Sequence, residues 1–390
     1  MPEIAALPDP RVFPDVASAS EPARAIYELA ERALSADIGQ QADTHERGLR
    51  TRLVALLRQG SGSELDRIFA EVPSISVSRH IWRALDAAWR DATRADGSAS
   101  LEVTVFALPI ALVVGREGGD AGVLPGILER VDALAAILRD HGALAGNANF
   151  ALSGALIAAD AIDIARLPEI LAWCRLPDTL HAGSPLPPRA LSPAPMVFSA
   201  GVEAVHLRFI AGVAIAKAGA DLTADVRVGK WGIPLARELT AQLTSDGTLL
   251  LALPRAPRRL LPAVAEGRTA ARDVAAQIFT SNALRRFRGA VGEPSAVISA
   301  HRAPDAPGGG ELRLSLSSPL EARAAEGFRC PLFPIERVSD VGAMLTTLLR
   351  DCRVTDIRML DGVHADRGES GETLLFKPET IADAPKFRVH

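Results

Sequence analysis

The twelve-residue stretch Val103 to Val114 (VTVFALPIALVV), apolar but for Thr104, constrains this chain more than any other. The run falls well short of the roughly 20 residues that span a bilayer. It is rich in β-branched residues and interrupted by Pro109, so LEVTVFALPIALVVG reads as one or two buried strands that break at GREGGDAG. A similar run, VHLRFIAGVAIA, recurs at 205–216. Each is followed by a Gly/Asp-rich loop, a helix introduced by Gly and then Pro, a Gly turn and another apolar strand. In the first copy the helix spans about Pro125 to Asp140 and closes at His141-Gly142; in the second it spans Ile233 to Ser245 and turns at Asp246-Gly247 into TLLLAL. The shared order suggests an internal duplication.

Upstream, residues 1–98 read as a helical region. Pro22 precedes Ile26, Leu29, Ala30 and Ala33 at helical spacing; Leu49, Leu53, Leu56 and Leu57 repeat the pattern up to the GSGS turn at 60–63; Ser61 and Glu64 form a capping box. A fourth helix puts Trp82, Leu85 and Trp89 on one face, which reads as core. Residues 99–175 then form a first α/β unit. Residues 176–196, with six prolines, are a linker or long loop; 197–362 form a second α/β unit and 363–390 a polar tail. Within the second unit, an Arg-rich helical region (255–288) leads to a strand at Ala296–Ala300, and ELRLSLSS alternates as a hairpin partner beyond the loop HRAPDAPGGG. A last helix, Val338 to Arg350, feeds the strand VTDIRML. The fold class expected is mixed α/β (α+β).

Composition narrows the function classes. A content of 48% apolar and 23% charged residues supports a packed core. The start, MPEIAALPDPRVFPD, lacks a basic segment followed by an apolar one, so no secretory signal and no membrane partner are expected. Three widely spaced cysteines, Cys174, Cys330 and Cys352, fit reduced thiols of a cytoplasmic protein. Of 43 basic residues 39 are Arg, a bias that reads as bacterial GC-rich coding.

Chemistry-bearing motifs are scarce. There is no phosphate-cradling G-x-x-x-x-G-K-[ST], no dinucleotide fingerprint, no metal-ligating H-E-x-x-H or Cys pair, and no G-x-S-x-G elbow, so no cofactor and no metal are expected. Two loops at strand ends hold the catalytic candidates: His301, Arg302 and Asp305 after one strand, and Asp361, His364 and Asp366 after another. These residue types suit acid, base and nucleophile roles if the fold gathers them.

The remaining feature is charge. Between Arg255 and Arg288 eight arginines face only Glu266 and Asp273, a local +6 in a chain of net charge −4. On one helix Arg268, Arg272 and Arg286 fall within about 40° of one another, while Arg285 and Arg288 point elsewhere. Three functional readings follow. The first is a non-catalytic interaction, assembly or regulatory protein of the bacterial cytosol, binding a protein partner or itself through Arg268, Arg272, Arg285, Arg286 and Arg288. The second is an enzyme of unidentified class near His301 and His364. The third is binding of nucleic acid or a phosphate ligand through 255–288.

Overall fold

A computed structural model describes residues 7–11, 15–36, 40–93, 101–116, 122–144, 149–175, 195–198, 204–217, 228–244, 247–290, 294–302, 309–318 and 321–364. Most of the Pro-rich segment and the tail from residue 365 lie outside them. The architecture is mixed α+β: a helical N-terminal region, then strands and helices. Internal contacts divide the chain into two compact units. One takes the described residues within Ile26–Arg67 and His80–Ala271, the other those within Met1–Ala25, Ile68–Arg79 and Arg272–Phe387.

Four helices open the chain where the apolar spacing puts them: α1 (Glu21–Ser35), α2 (Gln40–Gln59), α3 (Gly62–Glu71) and α4 (Ile75–Thr93). Trp82, Leu85 and Trp89 of α4 are buried core residues.

The larger unit is built on the two apolar runs. The first is a single strand, β1 (Leu101–Arg116); after it come β2 (Gly122–Leu124), α5 (Val131–Asp140) and β3 (Asn149–Ala158). Short 3-10 turns and α6 (Leu167–Leu171) follow, then β4 (Met196–Phe198), which pairs with β2. The second run is β5 (Ala204–Lys217), trailed by α7 (Val228–Leu243), β6 (Thr248–Pro254) and the two-residue β7 (Arg258–Arg259). The runs pair antiparallel with each other, from Leu101 opposite Lys217 to Val114 opposite Ala204. Strand order is β3-β5-β1-β6, with β7 also on β1. Each β-α-β piece, β1-α5-β3 and β5-α7-β6, thus brackets one strand of the other, the split β-α-β topology of ferredoxin-like sheets. The pairing interleaves the chain on both sides of 176–196 in one sheet.

One sheet face carries Phe106, Leu108, Ile110, Leu112 and Val114 against Leu134 and Leu138 of α5 and Trp231, Leu235 and Leu239 of α7. On the other face α8 (Leu260–Ala290) crosses close by: a Cβ at Gly267 would stand 2.9 Å from the Phe209 ring and from Pro109. Pro109 is tolerated in a central strand because its outward side meets the break between β6 and β7, where its carbonyl accepts from the Arg255 N–H at 2.8 Å.

Two helix starts differ from expectation. The first begins at Val131 and not Pro125, because 126–128 is drawn onto β3: Leu128 N–H donates to Gly154 O and Leu156 N–H to Gly126 O. The second begins at Val228, upstream of Pro234, because Trp231 is buried in the core and the turn around it is helical.

In the smaller unit, β8 (Ser295–Arg302), β9 (Gly310–Ser318) and β10 (Glu321–Pro331) form an antiparallel meander. From there α9 (Val338–Asp351) leads to β11 (Asp356–His364), parallel to β8. Ala296, Ile298, Ala300, Leu312, Leu314, Leu316, Phe328 and Cys330 make one buried apolar face. Phe279 of α8 stacks on Phe328 at 5.3 Å.

Candidate functional site

The opposite face of the smaller sheet is polar and buried. Strand alternation sends Ser299 and His301 of β8, Glu311, Arg313, Ser315 and Ser317 of β9, and Arg329 of β10 to the same side. Register sets Ser299 opposite Arg313, His301 opposite Glu311 and Arg329 opposite Arg313. Glu311, only 1% exposed, is clasped by two guanidinium groups: Arg313 Nε donates to Oε1 at 2.6 Å, and Arg329 donates to Oε2 from Nε at 2.8 Å and Nη2 at 2.7 Å. Both carboxylate oxygens are therefore satisfied, the condition under which a buried charge is tolerated.

The two sequence-selected histidines meet here. Their ring centroids lie 5.6 Å apart at an interplanar angle of 40°. Parallel pairing puts His364 beside His301, and a bulge makes the reach: Met359 pairs with Ile298 but Val363 with Ala300, so Leu360, Asp361 and Gly362 face Ser299 alone. Gly362 takes φ +85° in that bulge, a left-handed conformation that favours glycine. Ser299 Oγ lies 2.8 Å from His301 Nε2, within reach for proton exchange. Ser299 and His301 are both nearly fully buried, and His364 Nε2 is buried without a hydrogen bond. Asp361 and Arg302 are exposed. Asp305 and Asp366 lie outside the described residues.

Four arginines of the Arg-rich segment enter separate ion pairs. In the larger unit Arg258 meets Glu266 at 3.2 Å and Arg268 meets Asp163 at 4.0 Å. In the smaller unit Arg272 reaches both Glu336 oxygens at 2.7 Å, and Arg286 forks onto both oxygens of Glu326. Burial alone works to lower the Arg272 pKa, but Glu336, with help from Cys330 and Asp273, more than offsets it and raises it. Arg285 is exposed, and the Arg288 side chain lies outside the described residues. Nearby, desolvation pushes the buried Cys330 thiol up to about 12, so it is an inert core group.

Apolar exposure is concentrated in the larger unit. The strand β6 ends the sheet, and Leu249 and Leu251 on it are 57% and 55% exposed. Sequence reading located this strand but not its place at the sheet edge. Val123 and Val197, cross-strand partners on β2 and β4, are more than 60% exposed. Between α2 and α4 an open groove of about 520 Å³ is lined by Asp43, Glu46, Arg47, Arg50 and Asp91. Along it Arg50 forks onto Asp91, and Glu46 lies 2.8 Å from His80.

Among the described residues no helix is long and apolar enough to cross a membrane, and no group of three or more His, Cys, Asp or Glu is placed to hold a metal. Compared with known protein families, characterised proteins and solved structures, the chain matches none.

Proposed function

We propose that this protein is a non-catalytic assembly protein that binds through the outer edge of the five-stranded sheet in its larger unit. The observation carrying this reading is the strand β6, an edge with exposed Leu249 and Leu251. Edge strands are ordinarily blunted by Lys, Pro or a covering element, and TLLLAL has no charged residue and meets Pro only at its end, Pro254. The exposed Val123–Val197 pair adds a second apolar spot in the same unit. Interaction thus moves from the arginines, of which Arg258, Arg268, Arg272 and Arg286 meet carboxylates of the chain itself, to backbone and leucine. For the same reason nucleic-acid binding through 255–288 draws no support from those pairings.

The test compares wild type with Leu249→Lys/Leu251→Lys as immobilised bait, reading both self-association by sedimentation and retained partners from a native lysate. The double variant should keep its fold, since both leucines are solvent-facing, and should lose association at least tenfold. Unchanged association in both readouts overturns the proposal.

The His301–His364 pair with Ser299 favours a second reading, a hydrolytic enzyme with Ser299 as nucleophile and His301 as its base. A fluorophosphonate probe that labels Ser299 in wild type but not in His301→Gln would carry that reading; no labelling of the native protein removes it.

A further inference from the structure

The geometry points to a pH-sensitive latch at the C-terminal end of β11: protonation of His301 and His364 together releases residues 360–364 from β8 and uncovers the β8 edge beside Ser299. This inference stands apart from the assembly reading, because it concerns the four-stranded sheet alone.

The end of β11 is held lightly. Its first four residues pair with β8 without interruption, from Asp356 opposite Ser295 to Met359 opposite Ile298. Past the bulge the pairing consists of Val363 opposite Ala300 and His364 opposite His301. The strand ends its sheet, so among the described residues no strand supports it from outside. Asp361, Gly362 and Val363 are exposed, Val363 by 41%, and they bury little apolar surface. Gly362, at φ +85°, supplies a hinge. What anchors the end is the His364 ring, 5.6 Å from the His301 ring, with its Nε2 buried and without a hydrogen bond. A segment with so little pairing and apolar burial is of the kind that opens first.

Neutral imidazoles suit this contact and two imidazolium ions do not. Imidazole is the side chain whose charge ordinarily changes in the mildly acidic range. Two unit charges at the observed separation, in a medium of effective dielectric about 20, disfavour contact by about a hundredfold.

The charged groups around the pair add to that repulsion. Glu311 of β9 stands opposite His301 but is clasped by Arg313 and by Arg329 of β10, so these three carry one net positive charge. On β11, Asp361 is exposed in the bulge and Arg358 is bonded to Asp356. On β8, Arg302 is exposed opposite Gly310, against which Arg11 packs while bonded to Asp9. The seated end is therefore favoured above the imidazole range and lost as pH falls through it. Ser299 and His301, nearly fully buried while the end is seated and 2.8 Å apart from Oγ to Nε2, gain access to solvent on release.

Hydrogen–deuterium exchange of the full chain at about pH 7.5 and about pH 5, corrected for the intrinsic rate at each pH, tests this. Opening of 360–364 is expected to rise at least about tenfold in acid, while residues 312–316 of β9 stay protected. His364→Gln and His301→Gln each remove one of the two cations and should flatten that rise. A measurement on the native chain needs no variant: by NMR, the seated amide signals of Val363 and His364 should disappear with the same pH midpoint at which the two imidazole rings titrate. No rise in the native chain, a rise that survives in both variants, an equal rise at 312–316, or rings that titrate while the amide signals of 363 and 364 stay in place overturns the inference.

Discussion

The two larger sheets of this molecule distribute their polar groups differently. The five-stranded sheet packs mainly apolar side chains, with Glu102, Thr104, Ser153, His206 and Arg208 buried among them, and carries exposed Leu249 and Leu251 on its edge strand. The four-stranded sheet reserves one face for Ala, Leu, Ile, Phe and Cys and fills the other with Ser299, His301, Glu311, Arg313, Ser315 and Ser317, all buried. Stability in the first rests on volume, since close-packed apolar atoms tolerate little added or lost bulk. In the second it rests on pairing, since a buried carboxylate is acceptable only while its donors remain. A sheet of the first kind is damaged by a methyl group and one of the second kind by a missing charge.

The sharpest break is Glu311→Ala, which removes the buried carboxylate that Arg313 and Arg329 share and should cost about 3–5 kcal/mol in urea unfolding. Replacing Glu311, Arg313 and Arg329 together by Met should recover most of that loss, and a triple variant as unstable as the single one would show that volume governs this sheet too. Next in size is Gly212→Ala in the larger sheet. A Cβ there would lie 2.4 Å from Phe106 Cζ and 2.8 Å from the Ala151 carbonyl oxygen, an overpacking expected to cost about 1–3 kcal/mol. Adding Phe106→Leu should return part of it; no recovery would locate the strain in the backbone contact with Ala151.

The smallest effect concerns a helix of the larger unit. Burial, partly opposed by Arg90 and Arg259, pushes the Asp86 carboxyl above its ordinary range. With the folded pKa raised, stability from the protonated form is complete below the ordinary carboxylate pKa of about 3.9 and is lost as pH rises through the raised value. Asp86→Asn should therefore give a small gain at neutral pH that vanishes near pH 3. A gain that persists at pH 3 would point to a cause other than the buried charge.

Much of the secondary structure was legible. The apolar spacing of α1 to α4, the unbroken run of β1 and the alternation of β9 each state a period, and a period is a local property. β10 was not legible: EARAAEGFRCP has no alternation to mark it, and it is a strand because β9 offers it an edge. Of the candidate site, the residue types at 299–301, 311–313 and 361–364 were in plain view, but their meeting was not. His301 and His364 come from loops assigned to separate strands, joined by the parallel pairing of β8 and β11.

Composition and periodicity told that this chain would make helices first and a mixed α+β body after them, because those signals depend on neighbours a few residues away. Which strand pairs with which, where the larger sheet ends, and which carboxylate answers each arginine are settled by contacts between distant residues: Arg272 finds Glu336 and Arg286 finds Glu326 across 64 and 40 residues. The charge surplus at 255–288 looked like a surface waiting for a partner when counted along the chain. In three dimensions folding brings up acids from elsewhere to offset much of it, because leaving a partly buried guanidinium unpaired costs more than closing the loop that pairs it.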